Sequence, residues 1–220
     1  MKQIEAMDEP IIVVAPGPAH TPGRRIHTVL GFVTLISLWF LNSYAFPYFT
    51  MDPSRFGIYT PRRDWLRAHI IGGTVALLVG PAQLWLGLNG RSKILHRVLG
   101  VVYVMAVGTG SVAAFYLALR TNFGWVFGTG LATLAVAWII TTALAVAAIA
   151  RCVVQQHREW MIRSYVMTLA FVLFRVLVEI FEVVNIGTLT EQLTGASWLC
   201  WTVPLLITEA ILQGRKIFSG

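Results

Sequence analysis

The sequence is short of charge. Asp, Glu, Lys and Arg make up 12% of its 220 residues, against 56% hydrophobic residues and a mean hydropathy of +0.70. Soluble domains carry about 25% charged residues, so an ordinary soluble domain is excluded. Acidic residues are scarcest, 10 against 17 Lys and Arg, which gives a formal net charge of +7 and a pI near 9.9. That surplus does not point to nucleic acid, because the basic residues cluster at the ends of apolar segments, where they mark membrane topology. Cysteine is nearly absent. Cys152 and Cys200 have no metal-ligand spacing and no reason to pair, and both read as small hydrophobes. The usual catalytic motifs are missing as well: no phosphate-binding glycine loop, no Gly-x-Ser-x-Gly, no His-Glu-x-x-His. No apolar stretch follows a basic start as in a cleavable signal peptide. Residues 1–25, Pro-rich and of mixed charge, read as an N-terminal cytoplasmic arm.

What the chain has is long apolar runs. Six of them, each about 20 residues as a bilayer requires, predict helices over 26–44, 65–88, 94–119, 124–150, 156–184 and 196–212. The fold class is therefore all-α, a polytopic six-helix transmembrane bundle forming one domain over 26–220. A loop spans 47–64, the turn Asn89-Gly90-Arg91-Ser92-Lys93 joins helices two and three, and Pro204 is expected to bend helix six. Lys2, Arg24, Arg25, Arg91, Lys93, Arg97, Arg151, Arg158, Arg215 and Lys216 fall on one side. Arg55, Arg62, Arg63, Arg67 and Arg120 fall on the other. The bias places both termini in the cytoplasm.

Helix five carries the sharpest pattern. His157, Ser164, Thr168, Arg175 and Glu182 recur at steps of four and three, with Glu179 beside them, so they share one face. Charged groups are costly in hydrocarbon and normally point into a bundle. Helix two repeats His69, Gly73, Ala76, Gly80, Gln83 and Gly87 in the same way, and helix three repeats His96, Gly100, Tyr103, Val107, Gly110 and Ala114. Small residues at this spacing allow close helix packing, or room for a flat cofactor.

Depth sorts the polar residues into two clusters, roughly 20–25 Å apart at the helical rise. At the inner surface, His96 and His157 open neighbouring segments and could donate both axial ligands to a b-type haem. Gly100 would leave room for the ring, and Arg97, Arg158 or Arg163 would neutralise the propionates. The competing reading is that each His-Arg pair anchors a helix start at the headgroups. At the outer surface, His69, Glu179 and Glu182 could bind a divalent metal or relay protons to a quinol. The competing reading there is an intrahelical ion pair of Arg175 with Glu179.

Several runs are specific enough to resemble a known family. They are Asp52-Pro53…Phe56-Gly57-Ile58-Tyr59, His69-Ile-Ile-Gly72-Gly73…Gly80-Pro81…Gln83, His96-Arg97…Gly100…Tyr103, and His157-Arg-Glu-Trp-Met-Ile-Arg-Ser-Tyr165. They resemble a bacterial family of predicted membrane proteins, the domain of unknown function twenty-three-oh-six, over about 45–178. The resemblance implies a multi-pass protein of the bacterial inner membrane and no defined activity. A weaker likeness is to six-helix cytochrome b561-type proteins, which implies a haem held by histidines of helices three and five. Helix four has no histidine to hold a second one.

Two functions follow as expectations. The first is a membrane redox protein binding a b haem, with a quinone as a candidate partner. The second is a non-enzymatic accessory subunit of a larger membrane complex, suggested by small size and by Trp39, Trp125, Trp198 and Trp201 as contacts for lipid or other subunits.

Overall fold

A backbone in lipid must satisfy its own N–H and C=O groups, which turns long apolar runs into helices. The computed structural model describes residues 24–49, 53–90 and 92–218. Among them the chain forms six α-helices: α1 (Arg24–Phe40), α2 (Arg63–Asn89), α3 (Lys93–Leu119), α4 (Trp125–Ala150), α5 (Val154–Val183) and α6 (Leu189–Phe218). The all-α expectation holds. Five stretches are long and apolar enough to cross a membrane: His27–Phe49, Phe56–Asn89, Lys93–Leu119, Trp125–Ala150 and Leu189–Phe218. The sixth helix, α5, is 30 residues long but carries Arg158, Glu159, Arg163, Arg175, Glu179 and Glu182. The expected arm, apart from its last two residues, lies outside the described residues, as do Asp52 and Arg91.

Two boundaries differ from expectation. Of the stretch expected as a loop, 47–64, the described residues are wound. α1 passes into a π-helix over Leu41–Ala45 and a 3-10 turn over Phe46–Phe49. Further 3-10 turns over Pro53–Arg62 hinge at Gly57, whose φ of 46° suits glycine. α6 starts at Leu189 rather than at 196, because Thr188 and Glu191 form a capping box. The Thr188 N–H donates to the Glu191 carboxylate at 2.7 Å, and the Glu191 N–H donates to Thr188 Oγ1 at 3.4 Å. α6 continues through Pro204 to Phe218.

α3 packs on α2 and α4, and α5 packs on α4 and touches α2, so α2 to α5 close a four-helix ring with α3 diagonal to α5. α6 lies outside against α4 and α5, and α1 lies against α2. The small-residue stripes make the seams. A Cβ on Gly72 would lie 2.6 Å from the Ala106 carbonyl oxygen and 2.7 Å from the Gly110 nitrogen, so the α2 and α3 backbones touch there. A Cβ on Gly73 would meet the Phe171 ring at 2.4 Å, and one on Gly80 the Tyr165 ring at 2.1 Å, so aromatic side chains of α5 seat in the glycine notches of α2. Ala76, Tyr103, Val107, Trp138, Tyr165 and Met167 form the buried core.

At Gly72 both neighbours are backbone and have no rotamer to yield. Gly72→Ala is therefore expected to destabilise by roughly 1–3 kcal/mol. Gly108→Ala, with open space at its Cβ, is expected to be nearly neutral. Thermal unfolding in detergent measures both.

Candidate functional site

The two ends of the ring differ. The terminal end holds the α2–α3 and α4–α5 turns and the end of α6, and the loop end holds the other connections. Between them runs a buried network without charge. The Tyr103 hydroxyl lies 2.9 Å from both Ser164 Oγ and Thr168 Oγ1, and Ser164 Oγ lies 2.7 Å from Thr142 Oγ1. Trp138 Nε1 donates to Thr168 Oγ1 at 3.0 Å. Through these bonds α3, α4 and α5 share one set of hydroxyls across the ring. The stripe read on α5 thus points inward at Ser164 and Thr168, both fully buried.

At the terminal end lie His96, at the start of α3, and His157, at the start of α5. His157 Nδ1 lies 2.8 Å from the Ala145 carbonyl oxygen. A carbonyl only accepts, so in the neutral ring Nδ1 carries the proton and Nε2 keeps its lone pair. The His96 ring is within coulombic range of His157. Its Nδ1 is buried without a partner, and its Cε1 would lie 3.3 Å from a Cβ on Gly87. Gly100 does not face open space. The Gln83 amide fills that position, its Nε2 3.3 Å from where a Cβ would stand, and donates to the His96 carbonyl at 2.6 Å. Gln83 is 3% exposed and its Oε1 has no partner.

Arg163 is committed elsewhere. Its NH2 group lies 2.7 Å from Glu209 Oε2 and its NH1 3.7 Å from Glu159 Oε2, and it packs over the Trp160 ring at 4.7 Å. Lys216 Nζ reaches Glu159 Oε2 at 2.7 Å. This network ties α5 to α6, with the Nε and NH2 edge of Arg163 taken by Glu209. Arg97 and Arg158 are exposed and form no ion pair among the described residues. Of the residues expected around a haem, Gly100 has the Gln83 amide beside it, Arg163 is held by Glu209, and Arg97 and Arg158 stand exposed.

At the loop end the outer cluster is rearranged. His69 Nδ1 lies 3.1 Å from the Gly110 carbonyl oxygen, and its ring stacks on Phe171 at 4.8 Å and 21°. Phe171, not a glutamate, stands at the level of His69, because α5 has two more turns to run before Glu179. Glu179 and Glu182 are exposed, and no group of three or more His, Cys, Asp or Glu among the described residues is arranged to hold a metal. Nor does Arg175 pair with Glu179. Its guanidinium lies over the Tyr44 ring at 5.7 Å, and no carboxylate comes within ion-pair distance among the described residues. His69 and Arg175 do share a surface. Both line a cavity of about 230 Å³.

A family model described as a predicted membrane protein, DUF2306, matches residues 66–212. The chain belongs to the DUF2306 family. No curated protein and no solved structure matches it, and the likeness to cytochrome b561 is not shown. The DUF2306 match covers His69, His96, His157, Arg163, Arg175 and the whole of α3, α4 and α5. It leaves out α1, so Tyr44 and the rest of the α1 wall of the cavity lie outside the DUF2306 segment. The sequence singled out His69, His96 and His157 but not the cavity, whose walls come from every helix. It also missed the Arg163 network, for which Glu159 at i−4 was the available signal.

The buried ion pair thus sits at Arg163, not Arg175. Arg163→Ala removes the 8% exposed cation that joins Glu159 to Glu209, leaving Glu159 to Lys216, and is expected to cost on the order of 1–2 kcal/mol. Arg175→Ala removes only a cation–π contact and is expected to cost less than about 1 kcal/mol. The order of the two unfolding temperatures measures this.

Proposed function

We propose that this DUF2306 protein is a membrane electron-transfer protein holding one b-type haem at its terminal end, with His96 and His157 as axial ligands. The observation that carries the reading is the pair of imidazoles. His157 has its Nδ1–H anchored on a backbone carbonyl, the arrangement that orients a ligating histidine and leaves Nε2 for a metal. His96 stands within its coulombic range with a buried ring nitrogen that has no protein partner. The two come from α3 and α5, the His96 ring beside Gly87 of α2 and the His157 ring against the Ala145 carbonyl of α4.

A bound b haem supplies reversible one-electron chemistry. The chain's own residues do the rest. Ala145 fixes the His157 tautomer. Gln83 holds the start of α3 against α2 through the His96 carbonyl. Arg97 and Arg158 offer charge to propionates at the surface. The Glu159–Arg163–Glu209 network holds α5 on α6 beside the site. In this reading α5 is a sixth span, its ionisable residues lying toward its two ends. Both termini are then cytoplasmic, and the membrane is the bacterial inner membrane.

Protein purified from haem-replete cells is expected to show a reduced b-type absorption band. His96→Ala and His157→Ala are each expected to abolish it while leaving a folded protein. A colourless, folded wild type overturns the reading and favours an accessory subunit.

A further inference from the structure

The cavity at the loop end is separate from the histidine pair and has its own polar handles. α2 supplies His69 and α5 supplies Arg175. Its walls are mostly apolar and include several aromatic rings: Phe171 stacks on the imidazole, Trp138 meets Phe171 edge-on at 5.4 Å and 66°, and Tyr44 of the π-wound end of α1 lies on the side toward Arg175. Three unused hydrogen-bonding groups border it. Because His69 Nδ1 is bound to the Gly110 carbonyl, the neutral ring keeps its Nε2 lone pair, and Nε2 has no partner among the described residues. The Thr74 hydroxyl is buried and unpartnered. Arg175 is a cation without a carboxylate. The cavity therefore offers a ligand a lone-pair acceptor and, at its edge, a buried hydroxyl that has no partner.

The chemistry of that ligand can be read from the wall. It needs an O–H to give to Nε2, a flat apolar body to lie among Phe171 and Trp138, and an oxygen at its far end for the arginine. It must also be lipid-soluble. Beside Arg175 the cavity is closed by Tyr44 of the π-wound end of α1 and by Tyr48 and Tyr59 of the 3-10 turns, and α1 packs on the ring far less extensively than α3 or α4 do. Its backbone is locally widened to a π-helix over Leu41–Ala45, the segment that lines the cavity, and such distortions recur at functional sites. We infer that the loop-end cavity binds the head of a lipid-soluble quinol. One hydroxyl donates to His69 Nε2, the opposite oxygen lies toward Arg175, and the head enters from the membrane past Tyr44. This does not depend on a haem at the other end.

The experiment uses full-length protein in nanodiscs, with a short-tailed benzoquinol as probe and palmitate as competitor. Binding is read by quenching of tryptophan fluorescence. Wild type is expected to bind the quinol saturably. His69→Phe keeps the ring stack on Phe171 but has no lone pair, and is expected to lose affinity by about tenfold or more, the worth of a buried hydrogen bond. Arg175→Gln is expected to weaken binding less. Should His69→Phe fail to fold, wild type gives a second readout. Saturating quinol is expected to shield His69, and not His157, from diethyl pyrocarbonate, as located by peptide mass spectrometry. Equal quinol affinity in wild type and His69→Phe, or full modification of His69 at saturating quinol, overturns the proposal. Palmitate displacing the quinol from wild type and binding His69→Phe undiminished would also overturn it, and would assign the cavity to a fatty acid held by Arg175 alone.

Discussion

The loop-end half of this molecule depends on one backbone contact, the approach of α2 to α3 where Gly72 meets Ala106 and Gly110. Without side chains on either glycine, the two helices come close enough for the His69 ring to reach the Gly110 carbonyl. Gly110 also admits the Trp138 ring, which would stand 3.2 Å from a Cβ there. The neighbouring Gly73 admits Phe171 beneath the imidazole. One tautomer, one stack and one cavity wall thus follow from two adjacent glycines on α2 and one on α3. In lipid, where apolar surface alone does not drive helices together, such close packing is the main attraction available.

The polar residues of the ring sort by depth according to the cost of their charge. Mid-ring positions hold neutral hydroxyls, Tyr103, Ser164, Thr168 and Thr142, each bonded to another. Most ionisable groups stand toward the ends. Glu159, Glu209 and Lys216 stand toward the terminal end and neutralise Arg163, which lies at the depth of Ser164 but faces α6 instead of the ring interior. Arg175 at the loop end rests on an aromatic face. This is the arrangement expected where an isolated charge in hydrocarbon is expensive and a satisfied hydroxyl is not. It also explains how α5 can carry six charged residues and still run through the bundle.

Much of this was legible in the sequence, for identifiable reasons. Helical spacing put Ser164, Thr168 and Arg175 on one face of α5, and put Gly73, Ala76, Gly80 and Gln83 on one face of α2. The structure keeps Ser164, Thr168 and those α2 residues buried and places Arg175 against the cavity. Pairing across helices was not legible. Arg163 chooses Glu209, 46 residues away, over a haem propionate, and Arg175 chooses Tyr44 over Glu179 one turn along its own helix. The start of α6 was legible in principle, since Thr188 and Glu191 stand three apart, the spacing of a capping box. The cavity was not, because every residue on its wall reads singly as core.

Electron paramagnetic resonance of the oxidised protein, purified from haem-replete cells, tests the bis-histidine reading most directly. The account predicts a low-spin ferric signal of the kind given by two imidazole ligands. That signal should turn high-spin or vanish in His96→Ala and in His157→Ala, and persist in His69→Phe. A folded wild type with no ferric haem signal would contradict it, as would a low-spin signal that survives loss of both histidines.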